Sequence, residues 1–217
     1  IIFDTCNSCW NIVFISFEGI EGSGKSTKIE LIEELISAKG YQVKKLREPG
    51  TTELGEKIRN IFLEKTTETV DPITEAFLLY ASRKHLDQNF LRQNLSDGAI
   101  VIADRYADAT LAYQSYGKGL DHNFVKLIHD SSQLLSPDLT FYMDISAELS
   151  RERISDREMD RMESESIDFF KKVREGYLQI AQDNPERVVV LDANKTIDEL
   201  HESIKKIISN KLNVSLD

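Results

Sequence analysis

"FEGIEGSGKST", Phe17 to Thr27, decides the fold. Glycines stand at Gly19, Gly22 and Gly24, and a lysine and two hydroxyls follow at Lys25, Ser26 and Thr27. From Gly19 to Ser26 the stretch fits G-x-x-x-x-G-K-S/T, and it lies between a short β-rich run, "IVFISF", and a stretch with helical periodicity, which is the context this motif requires. Glycine permits backbone conformations that a side chain blocks. The N–H groups of Gly19, Glu21, Gly22, Ser23, Gly24, Lys25, Ser26 and Thr27 can therefore curl around phosphate oxygens at the positive end of the next helix. Lys25 is placed to reach the β- and γ-phosphates of a nucleotide, and the Ser26 hydroxyl to ligate Mg²⁺.

Outward from this loop, β-rich runs near 11–17, 41–46, 99–103, 138–144 and 187–191 alternate with helical patterns near 25–39, 53–64, 72–95, 121–134, 165–183 and 196–210. This alternation predicts an α/β chain. The strand runs are nearly continuous in Val, Ile and Phe, as expected of parallel strands covered by helices on both faces. The expectation is a P-loop NTPase-type, three-layer α/β/α fold around a five-stranded parallel sheet. Gly40 closes a helix, Asp71-Pro72 opens one, and Ser136-Pro137 precedes a strand. With no internal repeat or Gly/Ser-rich linker, residues 11–217 read as a single domain and 1–10 as a disordered or non-native extension.

The 217 residues carry 27 Lys and Arg against 37 Asp and Glu, a net charge of −10, so the surface field opposes a polynucleotide partner. No apolar run approaches the roughly 20 residues of a membrane helix. Cys6 and Cys9 form C-x-x-C, the shape of half a zinc site or a redox pair, but no other cysteine exists and the histidines are scattered. Two cysteines without a convincing signal peptide point to a reducing cytoplasm.

The phosphate can pass to water or to a small acceptor. A guanine-reading N-K-x-D is missing, since the nearest run, "NKTI" from Asn194 to Ile197, lacks the carboxylate, which disfavours a regulatory GTPase. The segment "RERISDREMDRMES", Arg151 to Ser164, is charge-dense with almost no apolar periodicity and is a candidate mobile lid. Its Arg151, Arg153, Arg157 and Arg161 either neutralise a transferring phosphoryl group, as in a kinase of small molecules, or line a solvated helix face.

Further motifs agree in order: "REPGTT" (Arg47 to Thr52), "YASR" (Tyr80 to Arg83), "DRYADATLAYQ" (Asp104 to Gln114), "PDLTFYMD" (Pro137 to Asp144) and the closing "DRMESE". Together with the phosphate loop they resemble thymidylate kinases of the bacterial kind, from about Asn11 to Leu212. The resemblance implies the reaction dTMP + ATP giving dTDP + ADP, in dTTP synthesis, with Mg²⁺ as cofactor and a homodimer as the assembly. It implies that Glu21 meets the acceptor's 3′-hydroxyl and that Arg59 and Arg105 hold its phosphate. Arg83 and Gln114 are implied to hydrogen-bond thymine, with Thr110 beside them and Glu48 and Leu79 completing the dTMP set. Tyr113 corresponds to an aromatic packed under the sugar, where its bulk opposes a 2′-hydroxyl; ordinary helix-face packing is the alternative. Asp104 matches a carboxylate that aids Mg²⁺ through water, though an Asp at a strand end is also a common helix cap. The catalytic set implied is Lys25, Arg105, Arg153 and Arg157. No arginine stands between Glu21 and Gly24, so catalytic arginines must come from the lid, whose end Arg161 anchors.

Three positions depart from the family pattern. Leu79 stands where phenylalanine is usual, four residues before Arg83, so that thymine stacking is weaker or Phe77 or Tyr80 substitutes. Thr51 replaces the second glycine of "REPGGT", and Ser115 replaces the glycine of "AYQG". A kinase of another monophosphate and a nucleotide-binding module without turnover remain open, and a panel of monophosphate acceptors separates them.

Overall fold

The computed structural model describes residues 13–156, 158–212 and 216. Cys6, Cys9, Arg157 and the extension expected over 1–10 lie outside the described residues. Five strands, β1 (Val13–Glu18), β2 (Val43–Arg47), β3 (Ile100–Asp104), β4 (Leu139–Asp144) and β5 (Val188–Asp192), form one parallel sheet in the order β2-β3-β1-β4-β5. Each of the five lies within two residues of its sequence expectation.

Alternate side chains of the inner strands enter different apolar clusters. Val13, Ile15 and Phe17 of β1 join Ile100 and Ile102 of β3 on one side; Phe14 joins Val101 and Ala103 on the other. This division explains the unbroken Val, Ile and Phe runs, because a strand buried on both faces needs no polar alternation. The first cluster is filled by Ile29, Ile32 and Ile36 of α1 (Lys25–Ala38), Val173 and Tyr177 of α8 (Ile167–Asp183), and Leu200, Ile204 and Ile208 of α9 (Ile197–Leu212). The second takes Leu86, Leu91 and Leu95.

Capping fixes where the other helices begin. Thr52 accepts the Gly55 N–H at 3.0 Å to open α2 (Glu53–Leu63), and Asp71 accepts those of Ile73 at 2.9 Å and Thr74 at 3.1 Å to open α3 (Pro72–Leu86). The single helix expected over 72–95 is interrupted. A π turn over Asp87–Leu91 joins α3 to α4 (Arg92–Ser96), and the buried Asp87 carboxylate there takes the Arg92 Nε at 2.7 Å. Two helices went unread in the sequence: α5 (Ala107–Thr110), continued by a π turn over Leu111–Gly117, and α7 (Ala147–Arg153). Both are only a few residues long, too short for apolar periodicity to register. Between them lies α6 (His122–Ser131). Among the described residues no helix is long and apolar enough to cross a membrane.

With β1 at the centre and β3 and β4 beside it, the chain leaves three adjacent strand ends on one edge of the sheet. The phosphate loop and the "DRY" turn both emerge there.

Candidate active site

The loop after β1 meets α1 at Gly24, whose φ of 84° is left-handed and open to glycine at little cost. No side chain caps this helix start, so its first N–H groups point at whatever anion arrives. The Lys25 ammonium curls back on the loop, donating to the Gly19 carbonyl at 2.9 Å and the Ile20 carbonyl at 3.1 Å. Burial, reinforced by the Arg105 charge, lowers its pKa to about 8. α7 packs directly on the loop: a Cβ on Gly22 would stand 3.0 Å from the Ser150 carbonyl, and Arg153 Nη1 donates to the Gly22 carbonyl at 3.0 Å.

The end of β3 is shaped by a buried carboxylate. Glu18 accepts the Tyr106 N–H at 2.7 Å, the Tyr177 hydroxyl at 2.9 Å and the Ser16 hydroxyl at 3.0 Å. Burial, aided by the Asp108 charge, pushes it up to about 7. This grip holds the turn in which Arg105 adopts a left-handed φ of 68° and swings its guanidinium back to pair with Glu21. Tyr113 donates its hydroxyl to the other Glu21 oxygen at 3.1 Å, and the Arg105 guanidinium lies 5.0 Å over the Tyr113 ring. Burial alone would raise Glu21, but Arg105 and Lys25 outweigh it and hold the carboxyl below its usual range.

These groups open onto a cleft of about 530 Å³. At its inner end Arg83 and Glu48 form an ion pair at 2.5 Å with almost no exposed surface, and Arg83 Nη2 donates to Thr110 Oγ1 at 3.0 Å. Burial pushes Glu48 up to about 7 against the pull of Arg83. Arg83 Nη1 and Gln114 Oε1 are both buried with no hydrogen-bond partner among the described residues. Such atoms are costly to leave unmade, so a cleft that keeps them implies a ligand that satisfies them.

A family model described as thymidylate kinase matches residues 17–204. The chain belongs to the thymidylate kinase family. It is 40% identical over 200 residues to a thymidylate kinase of Thermoanaerobacter sp. (strain X514), covering 92% of this chain and 98% of that protein. Another from Sulfurihydrogenibium sp. (strain YO3AOP1) is 44% identical over 192 residues, covering 88% and 94%. The crystal structure of thymidylate kinase from Ehrlichia chaffeensis superposes with a TM-score of 0.75 at 31% identity, over 92% of this chain and 99% of that one. The P-loop α/β fold expected from the sequence is thus the fold of the family.

In this chain every residue assigned to the acceptor (Glu21, Glu48, Arg59, Leu79, Arg83, Arg105, Thr110, Tyr113 and Gln114) lines the same cleft. Gly22, Gly24, Lys25, Ser26, Thr27 and Asp104 line it too, whereas Gly19 and Ser23 of the same loop do not. Asp104 does not cap α5, whose N-cap position is Tyr106.

The lid arginines part ways. Arg153 reaches the loop. Arg151 instead donates to the Glu165 carbonyl and lies 5.7 Å over Phe170, and it does not line the cleft. Arg161 donates to the Phe62 carbonyl at 2.8 Å and to Glu75 at 2.6 Å, tying the segment's end to α2 and α3. Nor is the segment purely polar: Ile154 and Met162 are buried and line the cleft.

The departures have local explanations. Leu79 lines the cleft, but Phe77 is 55% exposed against Phe124 and Tyr80 packs towards His129, so neither substitutes for the missing phenylalanine. Thr51 takes the left-handed φ of 69° that suits glycine and is held by a 2.7 Å bond from the Arg47 N–H to its hydroxyl. Ser115 donates to the Leu120 carbonyl at 2.8 Å inside the π turn. Sequence reasoning gave no site role to Phe62, which no motif marks, or to Asp160 and Met162 of the closing "DRMESE", and all three line the cleft. Glu18 had a signal, a carboxylate at the end of a strand that is apolar but for Ser16.

Proposed function

We propose that this chain transfers the γ-phosphate of ATP to dTMP, giving dTDP and ADP on the way to dTTP. The observation that carries the reading is the pair of unsatisfied buried atoms in the cleft, a donor on Arg83 and an acceptor on Gln114. Thymine offers the complement, an O4 acceptor beside an N3–H donor.

Arg59 and Arg105 grip the acceptor phosphate with guanidinium forks, and Glu21 accepts from the sugar 3′-hydroxyl. Tyr113, fixed by Glu21 and by edge contacts to Phe169, Phe170 and Tyr177, crowds the position of a 2′-hydroxyl. The attacking phosphate oxygen is already anionic at neutral pH, so no general base is needed. The chain supplies position and charge: Lys25 and the loop N–H groups on the donor side, with Arg153 and Arg157 from the 151–164 lid.

The donor set fits Mg²⁺. No three His, Cys, Asp or Glu side chains among the described residues could cage a metal, and Mg²⁺ needs no such cage, because it keeps several waters and nucleotide oxygens. The Ser26 hydroxyl and, through water, the Asp104 carboxylate would hold it, and when bound it supplies charge neutralisation at the donor phosphates. A homodimer is supported by apolar side chains on neighbouring helices: Ile61 of α2, Phe77 of α3 and Leu127 of α6 are 60%, 55% and 63% exposed.

The test is coupled ADP release with Mg-ATP and a panel of dTMP, dUMP, dCMP, dGMP and the thymine ribonucleotide, beside a no-acceptor control. Preferential turnover of dTMP is expected. Equal kcat/KM for dCMP and dTMP overturns the base assignment, and ADP release that needs no acceptor overturns the kinase reading.

A further inference from the structure

Glu75 lies in the first turn of α3 with no exposed surface. Its oxygens serve different partners. Oε1 accepts from Arg161 Nη1 at 2.6 Å and from Lys118 Nζ at 2.8 Å, while Oε2 accepts from Gln114 Nε2 at 3.0 Å. A carboxylate offers acceptors only, whereas an amide side chain has a donor end and an acceptor end. With its NH₂ committed to Glu75, Gln114 must turn its carbonyl the other way. That carbonyl oxygen is the buried, unpartnered atom of a residue lining the cleft.

We propose that Glu75 is a specificity-determining positioning residue: by fixing which way the Gln114 amide faces, it makes the cleft accept a ring N–H and so select 4-keto over 4-amino pyrimidines. The inference rests on the proposed function, in which Gln114 and Arg83 read the base, and adds the group that sets the sense of the reading. A 4-amino pyrimidine presents a bare N3 to the Gln114 carbonyl and an N–H to Arg83 Nη1, an acceptor against an acceptor and a donor against a donor. Glu75 touches neither base nor phosphate in this scheme and acts only through Gln114.

The division of labour between the oxygens makes the role separable from plain charge balance. In Glu75→Gln, Arg161 and Lys118 still require an acceptor, so the new amide keeps its oxygen at the Oε1 position and turns its NH₂ toward Gln114. Two NH₂ groups cannot bond. Gln114 then rotates, and its NH₂ faces the cleft.

The experiment compares kcat/KM for dTMP and dCMP in the full chain, as wild type, Glu75→Gln and Arg161→Ala. In Glu75→Gln the dTMP/dCMP ratio should fall by at least about tenfold, the discrimination that one mismatched buried hydrogen bond carries, with the dCMP value rising in absolute terms. Arg161→Ala removes a partner of Oε1 only and should lower both values while leaving the ratio within about twofold. If Glu75→Gln fails to fold, the double variant Glu75→Gln/Lys118→Met, with less uncompensated charge, is read in the same way. A folded Glu75 variant that keeps the wild-type ratio, or an Arg161→Ala ratio that falls as far as that of Glu75→Gln, overturns the proposal. A wild-type protein with no preference for dTMP overturns the base assignment itself, a separate failure visible before any substitution.

Discussion

Above pH 8 this protein should lose catalysis while its fold gains stability, and both changes trace to Lys25. The side chain is 7% exposed among the loop carbonyls, and burial, followed by the Arg105 charge, brings its pKa from 10.5 to about 8. Between those values the unfolded chain keeps a proton that the folded chain has released, so stability rises with pH across that window. At 1.36 kcal/mol per pH unit the gain totals about 3 kcal/mol, or about 7 °C in Tm for a chain of this size. Over the same range the neutral amine no longer stabilises charge on the phosphates, so kcat/KM for ATP, which reports the free enzyme, should fall about tenfold per pH unit. The assay is coupled ADP release from pH 6.5 to 10 beside thermal unfolding of wild type and Lys25→Met. The stability difference between the two proteins is the quantity to follow, because it isolates the Lys25 side chain. A difference that is flat with pH, or a kcat/KM level to pH 10, refutes this reasoning.

Arg153→Ala should lower kcat by about 10³-fold while changing KM for dTMP far less, measured at saturating Mg-ATP; wild-type kcat would make it a solvated side chain. Tyr113→Ala should erode selection against the thymine ribonucleotide and Tyr113→Phe should preserve it, since the phenylalanine keeps the ring and drops only the bond to Glu21; competition assays decide. At Thr51, alanine keeps the left-handed strain and loses the bonds to Arg47, so Thr51→Ala should cost about 1–2 kcal/mol, and Thr51→Gly should be the more stable of the two in urea; the reverse order would show that no strain is held there.

The sheet was legible because strands buried on both faces leave unbroken apolar runs, and the phosphate loop because its glycines and lysine are set by local backbone geometry. Acceptor residues such as Arg59, Arg83 and Gln114 could be placed only through ordered motifs resembling a family, since no spacing rule brings residues on α2, α3 and the π turn to one cleft. The π turns were invisible, as sequence periodicity does not register one extra residue per turn. The role of Arg151 was left open because a charge-dense run does not say which guanidinium turns inward, and Phe170 and the Glu165 carbonyl that hold it lie beyond that run. Phe62 and Met162 received no site role, because nothing in the sequence separates an apolar side chain of the core from one that also faces a ligand. They are buried, and they face the cleft as well.

The common cleft has a stereochemical corollary. Lys25, Ser26 and Thr27, assigned to ATP, and the groups assigned to dTMP line one continuous cavity. A cavity that holds donor and acceptor together lets the phosphorus move from one oxygen to the other in a single displacement, from the face opposite the departing ADP. A γ-phosphate made chiral with oxygen isotopes should leave the enzyme as dTDP with its configuration inverted.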